Sequence, residues 1–174
     1  FVEATVALHY VFDAPKDKLV FDVCHQCYPH KVLTGRAAGF LGNVDDMNAI
    51  SGYSSPAECP EYDNFEVGHT STSISLATGL QKARDVKGTK ENIIAVIGDG
   101  SLSGGEAFEG LDEASELGTG IIIVVNDNEM SIAENHGGIY KNLRALRESN
   151  GMCEHNWFKA WGFDVDWRCI SVVH

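Results

Sequence analysis

The amino-acid sequence predicts an α/β fold in which a mostly parallel sheet is flanked by helices. Two apolar runs, residues 93–97 (IIAVI) and 121–125 (IIIVV), have the β-branched composition of buried strands. Each run is followed by a polar tripeptide, Gly98-Asp99-Gly100 or Asn126-Asp127-Asn128. The stretch between the tripeptides is long enough for a crossover helix and its loops. The pattern therefore predicts two parallel strands whose tripeptides lie at the carboxyl edge of the sheet, where α/β proteins bind ligands.

The remaining elements are predicted from apolar spacing and turn residues. Residues 35–64 concentrate Gly, Ser, Pro and Asn with weak periodicity, which indicates a long irregular segment. Gly118 is placed to end a helix, and Pro15 marks a turn. The prediction is a helix over 1–10, a strand over 18–23, a short helix from Pro29 to about Leu33, helices over 70–85 and 105–117, a helix around Ile139, Leu143 and Leu146, and a short one around Trp157, Phe158 and Trp161.

Composition and charge narrow the classes of function. The chain of 174 residues is 44% hydrophobic and 22% charged, as expected of a globular domain. A net charge of −12 disfavours a broad surface for nucleic acid or anionic membrane. No apolar stretch approaches the roughly 18 residues of a transmembrane helix. Five loosely spaced cysteines argue against a disulfide framework and predict a reducing, cytoplasmic environment.

The two ends of the sequence predict a piece of a longer protein. The chain starts at Phe1, residues 1–10 resemble the later part of a helix, and residues 167–174 contain no closing element. We therefore expect residues 1–174 to be one domain that is truncated at both ends.

The two tripeptides predict a cation and phosphate site. The carboxylate of Asp99 and the side-chain oxygen of Asn128 are hard donors that suit Mg²⁺. Backbone N–H groups after Asp99 can hold a phosphate that is bound to the cation. The structural alternative is that Asp99 caps a helix and that Asn128 belongs to an ordinary turn.

At their spacing, the tripeptides resemble the signature of thiamin diphosphate enzymes. The resemblance implies that Asp99, Asn128 and the backbone carbonyl of Met130 hold Mg²⁺ on the cofactor's diphosphate. Further motifs occur in the order found in the N-terminal, diphosphate-binding domain of the 1-deoxy-D-xylulose-5-phosphate synthases, which are related to transketolases. These motifs are HYVFD at 9–13, DVCHQ at 22–26, YPHK at 28–31, LTGR at 33–36, GHTSTS at 68–73 and NDNEMS at 126–131.

This resemblance implies a three-layer thiamin diphosphate-binding fold and a specific reaction. The family condenses pyruvate with D-glyceraldehyde 3-phosphate, releases CO₂, and supplies precursors of isoprenoids, thiamin and pyridoxal. The resemblance places His9 and His25 in catalysis, and Cys24 replaces the glycine that usually precedes the His-Gln pair. The residues implied to bind the cofactor are His25, Gly68, His69, Thr70, Gly100, Ser101 and Asn128.

The resemblance also implies partners that this sequence lacks. The family's glutamate that activates the cofactor lies in a separate pyrimidine-binding domain, and the family has a C-terminal domain and acts as a homodimer. We therefore expect residues 1–174 alone to lack synthase activity.

Three other interpretations compete with the synthase assignment. One is a transketolase-like sugar-phosphate transferase with the same cofactor site, and another is a noncatalytic domain that keeps the fold. The third is a metal-binding module of four closely spaced Cys and His residues. They lack the second, separately spaced Cys/His pair of a typical zinc site. We interpret the remaining histidines His30, His136 and His155 as structural. The metal module would use Cys24, His25, Cys27 and His30.

Overall fold

The computed structural model describes residues 1–41, 50–129 and 134–167. The chain forms two compact units, residues 1–126 and 127–174, which are described separately below. The prediction of a single domain stays a prediction.

The first unit is built on a parallel sheet with the strand order β1-β2-β3 within the described residues. Strand β1 is Lys18–Phe21, β2 is Ile93–Gly98 and β3 is Ile121–Asn126. The last residues of β2 and β3, Gly98 and Asn126, are register partners. This arrangement confirms the predicted parallel pair and places the ends of β2 and β3 side by side at the carboxyl edge.

Helices cover both faces of the sheet. On one face, Leu19, Phe21 and Val96 pack against Leu8 and Phe12 in and after the first helix. On the other face, the helix Ser73–Lys87 packs on all three strands and against the helix Gly105–Leu117. The α/β prediction of a mostly parallel sheet between helical layers is therefore confirmed. The helices of this unit are α1 (Val2–Val11), α2 (Tyr28–Lys31), α3 (Ser73–Lys87), α4 (Asp99–Leu102) and α5 (Gly105–Leu117).

The helix predicted over 105–117 is confirmed at both ends. Gly118 adopts the left-handed conformation with φ of 58°, which ends α5 as expected. The helix predicted over 70–85 begins later, at Ser73, because Ser71 has a φ of 73° and cannot belong to a right-handed helix.

The segment after Gly98 differs from the predicted loop. It forms the short helix α4, whose first residue is Asp99, while Gly98 occupies the N-cap position. Asp99 is thus not the cap of this helix, although it lies in its first turn.

The segment predicted to be irregular, residues 35–64, contains a short 3₁₀-helix, Ala37–Phe40. Residues 42–49 lie outside the described residues, and 50–64 form turns and bends.

The second unit contains two helices that match the sequence predictions. Helix α6 is Gly138–Glu148 and buries Ile139, Leu143 and Leu146, the apolar positions from which it was predicted. Helix α7 is Trp157–Ala160, and the side-chain oxygen of Asn156 accepts from the backbone N–H of Lys159 at 3.1 Å. None of the helices in the described part of the chain has the length and apolar character that a bilayer crossing requires.

The contact between α3 and α5 depends on Gly110. A Cβ at Gly110 would lie 2.8 Å from both the backbone nitrogen and Oγ of Ser75. We expect Gly110→Ala to destabilise the fold by about 1–3 kcal/mol through overpacking, although alanine favours helices. Gly79→Ala is the matched control, because a Cβ there would have no neighbour within 4 Å. It should stabilise by about 0.5–1 kcal/mol. Urea unfolding measures both, and equal effects would contradict the prediction.

Candidate functional site

Each of the three strands is followed directly by an aspartate. Asp22 follows β1, Asp99 follows β2 and Asp127 follows β3. Asp22 and Asp99 are almost fully buried, with exposed fractions of 1% and 2%. Burying a carboxylate costs free energy unless hydrogen bonds or opposite charges compensate it. Asp22 and Asp99 therefore mark a polar site at the carboxyl edge of the sheet.

Asp22 fixes the loop that precedes α3. Its Oδ1 accepts the backbone N–H of Ser71 at 2.9 Å, and its Oδ2 accepts that of Ser73 at 3.0 Å. Two charge-assisted hydrogen bonds hold the loop against the end of β1. They also stabilise the left-handed backbone of Ser71, which a residue with a Cβ adopts only when its surroundings enforce it.

Ser71 links this loop to the segment that follows β2, which contains α4. Its hydroxyl donates to the backbone carbonyl of Ser101 at 2.7 Å. A Cβ at Gly104 would collide with the Ser71 side chain, so the two loops approach each other as closely as a glycine permits. This contact joins the segment that contains His69 and Thr70 to the segment that contains Ser101.

The predicted cofactor-binding residues of the first unit lie on the two segments that Ser71 joins, or next to them. Gly68, His69 and Thr70 are exposed, and Nδ1 of His69 lies 2.8 Å from the Thr70 carbonyl oxygen. Gly100 is half-buried and Ser101 is buried. His25 lies on the 3₁₀-helix Cys24–Cys27 that follows β1, and it is exposed.

His9 lies in a different environment. It is in the last turn of α1 and is half-buried. Its Nε2 lies 2.8 Å from Nδ1 of His30, and Nε2 of His30 lies 3.3 Å from Oδ1 of Asp63. Within the described residues, this pair is the only hydrogen bond of the His9 ring, so no hydrogen bond joins His9 to His25 or His69. His30 is fully buried, which agrees with its interpretation as a structural residue.

A buried ionic network surrounds Asp63. Arg36 donates to both carboxylate oxygens of Asp63, at 2.7 and 3.1 Å, and to Oε1 of Glu58 at 3.1 Å. Lys31, with an exposed fraction of 0%, donates to both oxygens of Glu58 at 2.9 and 3.0 Å. The backbone N–H of Ser51 also donates to Glu58, at 2.6 Å.

The network holds both carboxylates in their ionised form. Burial raises the pKa of Asp63, but the His30 ring, whose Nε2 lies 3.3 Å from Oδ1, and hydrogen bonds from Arg36 and the Ser55 N–H outweigh this effect and hold the pKa well below its ordinary value. Burial likewise opposes ionisation of Glu58, yet the hydrogen bonds from Lys31 and Ser51 lower its pKa.

The second unit carries the other predicted metal ligands. Asp127 and Glu129 both form ion pairs with Arg147 of α6, which fix the start of this unit. Asn128 lies between them and is exposed. Met130 lies outside the described residues, so its predicted role stays a prediction.

Two of the predicted metal ligands have side-chain oxygens of the kind that Mg²⁺ prefers. Asp99 supplies a carboxylate and Asn128 an amide oxygen, and both types suit Mg²⁺. Within residues 1–41, 50–129 and 134–167, no group of three or more His, Cys, Asp and Glu side chains is arranged as a metal site. The alternative module with His30 as a ligand conflicts with the geometry, because both ring nitrogens of His30 face other side chains.

Asp22, Ser71 and Asp63 are not among the site residues predicted from the sequence. Asp22 was missed because the strand predicted over 18–23 includes it, whereas β1 ends at Phe21, so that Asp22 follows the strand as Asp99 and Asp127 follow theirs. The role of Ser71 depends on its backbone conformation, and that of Asp63 on long-range contacts. Neither leaves a periodic signal in the sequence.

Comparison with known proteins identifies the family. A sequence profile described as 1-deoxy-D-xylulose-5-phosphate synthase matches residues 1–160. The chain belongs to the 1-deoxy-D-xylulose-5-phosphate synthase family. It is 54% identical over 146 residues to the enzyme of that name from Desulforudis audaxviator, and 52% identical over 147 residues to that from Dictyoglomus turgidum. It is 49% identical over 158 residues to the synthase from a Geobacillus species.

The chain spans about a quarter of the length of the curated synthases that it matches. The matches cover 84% of this chain and 23% of the Desulforudis protein, 84% and 24% for the Dictyoglomus protein, and 91% and 24% for the Geobacillus protein.

Proposed function

We propose that this chain is the diphosphate-binding part of a thiamin diphosphate-dependent 1-deoxy-D-xylulose-5-phosphate synthase. The reaction condenses pyruvate with D-glyceraldehyde 3-phosphate, releases CO₂, and supplies isoprenoid, thiamin and pyridoxal precursors. The observation that carries the proposal is the family match over residues 1–160. The parallel pair of strands supports it, because the last residues of β2 and β3, Gly98 and Asn126, are register partners at the carboxyl edge, where α/β proteins bind ligands.

The proposed cofactor is thiamin diphosphate with Mg²⁺. Asp99, Asn128 and the backbone carbonyl of Met130 would hold the metal. Their oxygen donors fit Mg²⁺, which keeps few protein ligands and binds phosphate oxygens as well. The cofactor-binding residues would be His25, Gly68, His69, Thr70, Gly100, Ser101 and Asn128. When bound, the cofactor supplies the electron sink for the carbon–carbon chemistry.

The residues of this chain would position the cofactor and handle protons. Asp22 and Ser71 fix the backbone that carries His69 and Thr70, which reduces the ordering that cofactor binding must impose. His9 and His25 would take up and return protons near the reacting groups, since the ordinary pKa of an imidazole lies near neutral pH.

The site would be completed by parts that this chain does not contain. We propose that the natural protein adds a pyrimidine-binding domain with the activating glutamate, and that it acts as a homodimer in the cytoplasm. Residues 1–174 are then one domain of a larger enzyme.

The test compares the longest natural protein that contains this chain with residues 1–174 alone. We expect the long protein to form 1-deoxy-D-xylulose 5-phosphate and CO₂ from the two substrates, with full dependence on thiamin diphosphate. We expect residues 1–174 to form no product, because they lack the activating glutamate. Product is measured by mass spectrometry. A long protein that transfers only ketol groups between sugar phosphates would indicate the transketolase-like alternative.

A further inference from the structure

Arg147 of α6 pairs with the carboxylates on both sides of Asn128. Its Nη1 contacts Oδ2 of Asp127, and its Nη2 contacts Oε1 of Glu129. The planar guanidinium presents its N–H donors in a rigid arrangement, so a single arginine can hold two carboxylates in a fixed geometry. The two residues that flank the proposed metal ligand Asn128 are therefore held by the same side chain.

The position of Arg147 is set by the packing of α6. Leu143 and Leu146 of the same helix are buried, with exposed fractions of 3% and 1%. Directly after the helix, the backbone N–H of Gly151 donates to the Leu146 carbonyl oxygen at 2.7 Å. A side chain on a helix that is fixed in this way holds its contacts more precisely than one on a loop.

The backbone on both sides of Asn128 is also constrained. The N–H of Glu129 donates to Oδ1 of Asp127 at 3.3 Å. Glu129 has a φ of 57°, a left-handed conformation that a residue other than glycine keeps only when its surroundings enforce it. The hydrogen bond to Asp127 and the ion pair with Arg147 supply this constraint. Asn128 is exposed between these two fixed neighbours.

The flanking carboxylates would be better ligands for Mg²⁺ than the amide of Asn128. Mg²⁺ is a hard cation that proteins bind through one or two carboxylates together with phosphate oxygens. In the proposed site, Asp99 supplies one carboxylate, which leaves part of the positive charge of the ion to attract an anionic diphosphate. A further carboxylate on the metal would cancel that remaining charge and weaken the attraction.

We propose that Arg147 is a positioning residue that keeps Asp127 and Glu129 from binding the metal, so that this segment supplies the neutral amide of Asn128 instead. The proposal rests on the proposed function, because it assigns how the ligands of that cofactor site are selected. Arg147 holds both carboxylates in ion pairs and neutralises one of their two charges. The ion then keeps the positive charge that binds the diphosphate.

Arg147→Met in the longest natural protein that contains this chain tests the proposal. Methionine keeps part of the apolar volume of arginine and removes its charge and its donors. We expect two effects of opposite sign. Binding of Mn²⁺ alone, measured by electron paramagnetic resonance, should become about threefold to tenfold tighter, because two carboxylates are released. Binding of thiamin diphosphate with Mg²⁺, measured by calorimetric titration, should become on the order of tenfold weaker, because the released charges repel the diphosphate.

A triple variant distinguishes this role from general support of the fold. Asp127→Asn/Glu129→Gln/Arg147→Met removes both carboxylates together with the arginine, and an asparagine at position 127 keeps an oxygen for the N–H of residue 129. We expect Mn²⁺ binding to return to within about a factor of two of wild type, and most of the lost cofactor affinity to be recovered. If Arg147 only supports the fold, the triple variant will bind the cofactor no better than Arg147→Met, which would overturn the proposal.

Two further variants control for net charge and for the geometry of the guanidinium. Arg144→Met makes the same change of charge at an exposed position of the same helix, and both affinities should stay within about a factor of two of wild type. Arg147→Lys keeps the charge, but a compact ammonium does not hold two carboxylates in the same fixed geometry, so its effects should be intermediate. Equal effects of Arg144→Met and Arg147→Met would overturn the proposal.

The outcomes separate this proposal from the proposed function. A wild-type protein that binds no thiamin diphosphate would contradict the proposed cofactor site, whereas the Mn²⁺ measurement needs no cofactor. Wild-type affinities in folded Arg147→Met would overturn the role of Arg147 and leave the synthase assignment intact. The Asp127 side chain has an exposed fraction of 6%. If its unpaired charge prevents Arg147→Met from folding, Arg147→Lys decides, and unchanged affinities in that variant would overturn the proposal.

Discussion

Asp99→Ala is expected to abolish Mg²⁺-dependent binding of thiamin diphosphate. Asp99 is buried at the end of β2 and is the one carboxylate among the proposed ligands. Removing it leaves only neutral oxygen donors for a divalent cation. We expect a loss of about 3 kcal/mol or more, which corresponds to at least a hundredfold weaker binding. Calorimetric titration of the longest natural protein with cofactor, with and without Mg²⁺, measures the effect.

Two variants separate loss of the ligand from loss of the fold. Asp99→Asn keeps the shape of the side chain and removes only its charge, so binding should weaken while the circular dichroism spectrum is retained. Asp112→Ala removes an exposed carboxylate from α5 and should leave the affinity within a factor of two or so. Wild-type affinity in folded Asp99→Ala would refute the metal assignment.

Glu58→Ala is expected to cause the largest loss of stability. Glu58 neutralises Lys31, which is fully buried. Within the described residues, the other hydrogen-bond partner of the Lys31 ammonium is the Ser51 carbonyl oxygen, at 2.8 Å. Removing one partner of a buried ion pair leaves the other charge uncompensated, at a cost of about 3–5 kcal/mol. Urea unfolding of the protein measures the difference from wild type.

A second lysine–glutamate pair supplies the control. Lys82 and Glu113 are 3.3 Å apart, but both are exposed. Glu113→Ala should therefore cost about 0.5 kcal/mol or less. The double variant Lys31→Met/Glu58→Ala removes the stranded charge, so it should be more stable than Glu58→Ala alone. If the double variant is no better, the cost does not come from the buried ammonium.

The same network predicts how stability responds to acid. The folded-state pKa values of Glu58 and Asp63 are lowered, so both groups bind protons more weakly in the folded state than in the unfolded chain. Their contribution to stability is present above the ordinary carboxyl pKa of about 4 and is lost as the pH falls below it. In Glu58→Ala, this acid-dependent loss should be shallower than in wild type.

The core of the fold could be predicted because its signals are local. The runs in β2 and β3 are apolar and β-branched, and Gly118 marks the end of α5, so each element is specified by a few neighbouring residues. The start of α3 was predicted too early because a serine with positive φ cannot be recognised from its sequence neighbours. Its conformation is imposed by Asp22, which is distant along the chain.

The candidate site could be predicted only in part, because some of its contacts join residues that are distant along the chain. The family motifs indicated the segments at 68–70 and 99–101 because the residues of each segment are contiguous. The ionic network could not be predicted, because it depends on long-range pairs, Lys31 with Glu58 and Arg36 with Asp63. Charged residues in an irregular segment are normally exposed, so the sequence gives no sign that these are buried. The pairing of His9 with His30 also depends on the packing of two separate helices.

The close approach of Ser71 and Gly104 has a consequence for how the family can vary. A Cβ at position 104 would lie 2.0 Å from Oγ and 2.6 Å from Cβ of Ser71, so it requires either a smaller residue at 71 or a shift of one of the two segments. Glycine at 71 would also suit the left-handed backbone there. A homologue with alanine at the position of Gly104 is therefore expected to have either a smaller residue at the position of Ser71 or a wider separation of the two segments.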